Sequence, residues 1–277
     1  MEDKNSEKRY RIGDFARFMG VSTDFLKHYE EAGLLRVEQR RSGYRYYPFH
    51  DSARVIEYMK LRNYGVHIRD MGALLLDDEE RVLAELNGKA DEMRQSVSRT
   101  EALIDAHDRF RLWAEARRRR PIDWEIREIE PARFLFHSSS QDFIDDDRIY
   151  EILKDWCSWL PAVKSALYVR NVASDGGRSA HWGLAVPESG FRRCGLPENG
   201  AVVRLPLGKC FVYHFAGLSG AFSLEDIAAG RHPAFIALRR LGFTPAGDGL
   251  LIRELQLAGV NGERQRDYGR FIIPIAE

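Results

Sequence analysis

The run Val21-Ser22-Thr23-Asp24-Phe25-Leu26-Lys27-His28-Tyr29-Glu30 reads as a helix that carries its own start signal. Ser22 is a strong N-cap residue. Phe25, Leu26 and Tyr29 then recur at i, i+1 and i+4, which gathers them on one face. Just before it, Ile12-Gly13-Asp14-Phe15-Ala16-Arg17-Phe18-Met19-Gly20 spells one or two helical turns halted by a glycine. Two short helices joined through Met19-Gly20-Val21 have the length and punctuation of a helix-turn-helix. In that arrangement Ser22, Thr23, Asp24, Lys27 and His28 face the major groove, and Arg17 faces phosphate. A second run, Arg40-Arg41-Ser42-Gly43-Tyr44-Arg45-Tyr46-Tyr47, sets turn chemistry between a basic pair and an aromatic, basic strand. Such a hairpin is a wing, and Arg40, Arg41, Tyr44, Arg45 and Tyr46 offer it charge and hydroxyls for phosphate oxygens.

These runs resemble the MerR family of transcription regulators. The resemblance is carried by Ile12-Gly13, by Val21-Ser22, by His28-Tyr29-Glu30-Glu31-Ala32-Gly33-Leu34-Leu35 and by Gly43-Tyr44-Arg45-Tyr46-Tyr47. It covers roughly the first 75 residues. It implies promoter DNA as a partner, RNA polymerase at that promoter, and activation by distortion of an over-long spacer. It also implies a second wing around His67-Ile68-Arg69, so that Arg69 touches the DNA backbone. One departure stands out: the family usually places a basic residue before Thr-Leu-Arg-Tyr-Tyr, and here Asp24-Phe25-Leu26-Lys27-His28-Tyr29 stands in its place. An acid there repels phosphate but accepts from a cytosine amino group, which leaves the operator sequence open.

Around this head the chain is ordinary in composition. Its 277 residues are 44% hydrophobic and 30% charged, which suits a globular protein of two domains and a connector. No apolar run reaches the ~20 residues of a membrane span. The polar start, Met1-Glu2-Asp3-Lys4-Asn5, is not expected to be a secretory signal, so a cytoplasmic location is expected. Cys157, Cys194 and Cys210 are too far apart for a disulfide framework or a zinc site, and are expected to be buried or inert. Net charge is zero, but residues 1–75 hold 14 Lys/Arg against 11 Asp/Glu, so the positive excess lies with the DNA motif. Residues 1–9 carry no pattern and are expected to be disordered. His50-Asp51 is placed to cap a third helix, with Ala53, Ile56, Met59 and Leu61 expected inward.

From Asp78 to Arg119 there is no proline and a single glycine, Gly88. Leu83, Leu86, Ala90, Met93, Val97, Thr100 and Ile104 repeat at 3-4 spacing, which is a heptad seam. Such a helix does not bury its stripe alone. An antiparallel coiled coil in a homodimer is expected, with packing on its own C-terminal domain as the alternative. Arg117-Arg118-Arg119-Arg120-Pro121 closes the helix. The expected divisions are therefore 1–77 for DNA binding, 78–120 for dimerisation and 121–277 for a third domain.

That third domain alternates as strands do. Strands are expected at 124–129, 132–137, 166–170, 181–186, 201–206, 209–214, 250–257 and 270–275, with helices at 145–160 and 233–241. Ile149, Ile152, Leu153, Trp156 and Leu160 form the apolar face of the first helix. Two β-α-β-β passes imply a duplicated sheet with helices on one side and a groove between halves, an α+β class overall. The order of elements resembles the effector-binding domain of the gyrase-inhibitory-protein-like superfamily (BmrR type), supported by Pro206-Leu207-Gly208-Lys209-Cys210-Phe211-Val212 and by Arg253-Glu254-Leu255. In that resemblance Glu254 takes the place of a glutamate that pairs with cationic ligands at the base of an aromatic pocket. Tyr168, Trp182, Phe211, Tyr213, Tyr268 and Phe271 are the aromatic candidates to line it, since a ring stack and a carboxylate together attract a cation. A multidrug-type effector, aromatic or cationic, is expected. No cofactor, metal site or catalytic set is expected. The rival readings are a ligand-sequestering or hydrolytic protein, in which His137, His181 and His214 assist Glu254, and a regulator that responds to a nucleotide.

Overall fold

The computed structural model describes residues 8–39, 43–139, 142–173, 177–259 and 265–276. Arg40 and Arg41, assigned to the wing, lie outside them. The chain divides into two compact units, Met1–Val97 and Ser98–Glu277.

The first unit opens with strand β1 (Arg9–Arg11), then α1 (Ile12–Met19) and α2 (Thr23–Glu31). Strand β1 overlaps the stretch read as patternless. Its three residues pair with the wing, a non-local partner that mixed charge does not announce. Helix α1 ends where Gly20 turns left-handed at φ 67°, and its backbone N–H returns to Ala16 and Arg17 carbonyls. Ser22 caps α2 by accepting from the Phe25 N–H at 3.0 Å. The wing strands are β2 (Glu38–Gln39) and β3 (Arg45–Pro48), in the order β1-β3-β2. Helices α3 (Asp51–Asn63) and α4 (Ile68–Leu74) close the unit's core. That core holds Phe15, Leu26, Tyr29, Tyr47, Val55, Tyr58, Leu61 and Met71. Each large apolar side chain fully buried there contributes about 1.5–3 kcal/mol. On α3 the inward face is Asp51, Val55, Tyr58 and Leu61, while Ala53 and Ile56 are exposed and Met59 half-buried. The face is rotated by about one residue from the expected one because Val55, Tyr58 and Leu61 are the residues that pack with Leu26, Tyr29 and Tyr47 in the core.

Helix α5 (Glu79–Arg119) has 41 residues, or about 60 Å at 1.5 Å each. The division between the units falls inside it. Leu86 packs on the first unit's core. Ala102 and Ala106 are each 1% exposed within the second unit, so the latter part of the helix packs on its own domain. The remaining seam stays open: Leu83, Met93, Val97 and Ile104 are all exposed.

The second unit is built on β4 (Ile122–Ile129), β5 (Ala132–Phe136), the short pair β6 (Ser138–Ser139) and β7 (Asp142–Phe143), α6 (Asp147–Ser158), β8 (Lys164–Arg170) and β9 (Ser179–Pro187). After α7 (Glu188–Cys194) come β10 (Val202–Leu205), β11 (Gly208–Leu218), α8 (Leu224–Ala228), α9 (Pro233–Arg240), β12 (Gly249–Leu257) and β13 (Arg266–Pro274). Eight strands form one antiparallel sheet in the order β10-β5-β9-β8-β12-β13-β11-β4. The two passes are joined at β8 and β12. Each leading strand has crossed over: β4 pairs with β11, and β10 with β5. One face of the sheet carries α6 on Leu135 and Leu184 and α9 on Phe211, Tyr213 and Phe271. The opposite face gathers Phe134, Ala166, Ala185, Leu250, Ile252 and Ile272. Helix α6 stops at Ser158, so Leu160 leaves its expected face and is exposed. Cys194 and Cys210 are buried, but Cys157 is exposed.

Candidate nucleic-acid interface and small-molecule cavity

In the first unit, Leu26 and Tyr29 turn α2 inward, which leaves Ser22, Asp24 and His28 exposed and Thr23 and Lys27 half-buried. Lys27 Nζ lies 2.9 Å from Asp24, so the acid that departs from the family pattern sits beside its own counter-ion. Arg17 is exposed and its guanidinium lies over the Phe18 ring at 4.4 Å. Arg45 Nε donates to Glu30 at 2.9 Å and ties the wing strand to the end of α2. Arg45 is thus a brace as well as a charge. Tyr44 is exposed, and Tyr46 accepts from Arg11 Nε at 3.4 Å. Arg11 also lies over the Tyr44 ring at 4.6 Å. This arginine was not among the expected contacts; the concentration of basic residues in Lys8-Arg9-Tyr10-Arg11 was its one signal. Arg69 is exposed beside Asp70 at 3.5 Å. Tyr47, buried beneath the wing, has its hydroxyl pKa pushed up to about 12 by burial and by Glu30. It is core rather than contact.

In the second unit, a cavity of about 550 Å³ opens on the sheet face away from α8 and α9, a size that suits a small organic ligand. Ala132, Ala185, Leu207, Leu250, Ile252 and Ile272 give it an aliphatic floor. Arg109, Arg127, Lys164, Arg193 and Arg270 supply positive charge, and Glu128 and Glu130 supply negative charge. Glu254 lies against this wall. The register of β12 on β13 shifts between Arg253 and Leu255, so Glu254 is the extra residue of a bulge. Its side chain is 3% exposed and accepts from Lys164 Nζ at 2.8 Å, with Arg270 at 3.1 Å. Burial by itself would raise its pKa, but Arg270 and Lys164, with His214 nearby, more than offset that and hold it below the usual carboxylate value.

The expected aromatic lining is distributed differently. Phe211, Tyr213 and Phe271 share the parity that packs under α9, and all three are in the core with Trp182 against them. The cation over Trp182 is the chain's own Arg253, at 4.4 Å, which also covers Phe222 at 4.1 Å. Tyr168 is on the cavity's face of the sheet but spends its hydroxyl on Asp248 at 2.6 Å. Tyr268 is half-buried on β13. None of these six borders the cavity. Lys164, Arg270 and Arg109 do, and sequence reasoning passed over them. An isolated cation in an apolar strand, as in Arg270-Phe271-Ile272-Ile273, was the available signal.

Beyond the cavity, His214 is buried on β11. Its Nδ1 accepts from Trp113 Nε1 of α5 at 3.0 Å, which leaves the proton on Nε2 to face Glu125 at 3.2 Å. His181 is half-buried beside Ser179, and His137 lies tilted against the Phe143 ring. The three histidines do not meet Glu254 as a set; His214 alone influences it. No helix among the described residues is long and apolar enough to cross a membrane.

A capped second helix beside a braced wing defines a winged helix-turn-helix head. Residues 11–47 match the family described as MerR family regulatory protein. None of the curated proteins matches this chain in sequence. Among solved structures, it is similar to EcmrR in the EcmrR–DNA complex of EcmrR-RPo, 14% identical over 97% of this chain and 100% of that one, with a TM-score of 0.35. It is also similar to HiNmlR, a MerR family regulator lacking the sensor domain and bound to promoter DNA, at 22% identity over 39% and 94% of the two chains, TM-score 0.32. A hydrolase from Listeria innocua is 10% identical over 57% and 92%, TM-score 0.31.

Proposed function

We propose that this protein is a ligand-responsive transcription regulator that binds a palindromic promoter site as a homodimer and acts with RNA polymerase there. The observation that carries the reading is the head: α2, capped by Ser22, turns Asp24, Lys27 and His28 outward beside a wing strand tied to it through Arg45 and Glu30. Two copies joined in antiparallel fashion along the open α5 seam would carry two such helices on one duplex, and two-fold symmetry calls for a palindrome. Bending and untwisting of the promoter would realign the polymerase elements, with activation as the outcome. The cavity in the second unit would hold a small effector whose unequal affinity for two arrangements of the dimer sets the response. The location in this reading is the cytoplasm.

Glu254 supports binding rather than catalysis. A general base works best with a pKa near the operating pH, and Lys164 and Arg270 hold this carboxyl below its ordinary value. The expected aromatic or cationic effector draws no support from the lining, which is aliphatic and basic-walled.

The test is retardation of a duplex from the gene's own upstream region at low salt, with a footprint of the bound site. A two-fold symmetric footprint, lost in His28→Ala with Arg17→Ala, supports the reading. A monomeric protein that retards no such fragment overturns it. Turnover of p-nitrophenyl acetate by the wild type without DNA, abolished in Glu254→Gln, would favour the hydrolytic reading instead.

A further inference from the structure

We infer that the effector of the second unit is an amphipathic organic anion, an aliphatic body ending in a carboxylate, seated between Arg270 and Arg109. The inference rests on the regulator reading above and specifies the ligand of the same cavity.

Charge at the buried side decides the matter. Glu254 is the one deeply buried carboxylate at this wall, and two cations already occupy it, Lys164 at 2.8 Å and Arg270 at 3.1 Å. A cationic ligand would have to displace one of them. The trio instead carries one positive charge in excess, in surroundings where an uncompensated charge is costly. Donors are also left over. Arg270 gives one nitrogen to Glu254, while its Nε is buried and has no hydrogen-bond partner among the described residues. Nearly a third of its side chain stays open. A cation offers nothing to accept from such a donor, whereas a carboxylate accepts from a guanidinium on two oxygens. Arg109, from α5, borders the same cavity and pairs with no described acid.

The other charges around the cavity do not reverse this. Arg193 is matched by Asp105 at 2.8 Å, and Arg127 by Glu125 at 3.6 Å. Glu128 and Glu130 are exposed, and Glu130 already accepts from Ser189. Exposed carboxylates keep their hydration and are screened by salt. The floor, with Leu250, Ile252 and Ile272, offers alkyl surface rather than rings. That favours an aliphatic body, since burial of apolar area is non-directional and asks only for contact.

The test uses three ligands of one shape, octanoate, octanamide and octylammonium, titrated calorimetrically into the full-length protein at one ionic strength. Octanoate is expected to bind at least ten-fold more tightly than either of the others. Arg109→Ala should weaken octanoate about five-fold and leave octanamide unmoved; Arg109 has no described partner, so this variant should fold. Glu254→Gln frees two cations and should tighten octanoate several-fold, whereas a cation site would lose affinity in the same variant. Tightest binding by octylammonium, equal binding by all three, silence from all three, or indifference of octanoate to Arg109→Ala overturns the proposal. Retardation of the promoter fragment by the same preparation reports separately on the regulator reading.

Discussion

At the scale of single residues, His232 shows how one buried ring ties stability to pH. It is 1% exposed, and its Nδ1 accepts from the Ala234 N–H at 3.1 Å, capping α9. Burial pushes its pKa down to about 4 from 6.5. The folded chain therefore holds His232 neutral while the unfolded chain takes up a proton below pH 6.5. Stability is fully present above about 6.5, and is lost as pH falls from there toward 4. A shift of that size corresponds to about 3 kcal/mol. His214, lowered first by burial and partly restored by Glu125, loses stability in the same direction, because its protonation turns Nδ1 into a donor and forfeits the bond from Trp113. All five tryptophans lie between residues 113 and 182, so their fluorescence reports the second unit alone. The urea midpoint followed this way should fall between pH 6.5 and 4. His232→Asn, which keeps an acceptor at the cap, should flatten much of that slope; an unchanged slope would remove His232 from the account. In the first unit, Ser22→Ala removes the acceptor from the Phe25 N–H. It should cost about 1 kcal/mol, visible as faster amide exchange through α2.

At the scale of elements, alternation and punctuation made most of the fold readable. Strands need a period of two and helices a period near 3.6, and both are local properties. The breaks at Gly20 and Pro121 are local too. What could not be read was pairing. The crossing of β4 to β11 and of β10 to β5 joins strands far apart in sequence, and nothing within either strand names its partner. The pocket misassignment has the same origin. Parity placed Phe211, Tyr213 and Phe271 together on one face, but only the helices' position says that this face is core. Helices α7 and α8, of seven and five residues, are too short to show a period. The crossed sheet makes a demand of its own at β13. A Cβ on Gly269 would stand 2.3 Å from the Ile252 carbonyl oxygen and 2.9 Å from the Phe215 ring. Backbone atoms of a paired strand do not yield cheaply, and overpacking of this kind costs about 3 kcal/mol or more. Gly269→Ala should lower the tryptophan-detected midpoint sharply or prevent folding, while Gly247→Ala, whose Cβ would meet Pro274 at an ordinary 3.6 Å, should leave the same midpoint nearly unmoved.

At the scale of the whole molecule the open question is what covers the exposed side of α5. Ala102 and Ala106 are spent on the second unit and Leu86 on the first, yet Leu83, Met93, Val97 and Ile104 remain in water. A stripe of that kind at heptad spacing is the face a second copy needs, and the small positive excess of residues 1–75 argues for the same thing. Three charges in excess give one head few phosphates to neutralise, and each phosphate contact contributes about 0.9 to the slope of log affinity against log salt. Two heads on one duplex double that slope and add their binding energies. The double substitution Val97→Glu with Ile104→Glu should therefore halve the mass measured by sedimentation equilibrium. It should leave the tryptophan-detected midpoint within about 0.5 kcal/mol, since both side chains are exposed on a single chain. Promoter affinity should fall, with the salt slope reduced to about half. If the variant stays a dimer, or the wild type is a monomer with the full slope, the seam is not the joint and the two-headed reading fails with it.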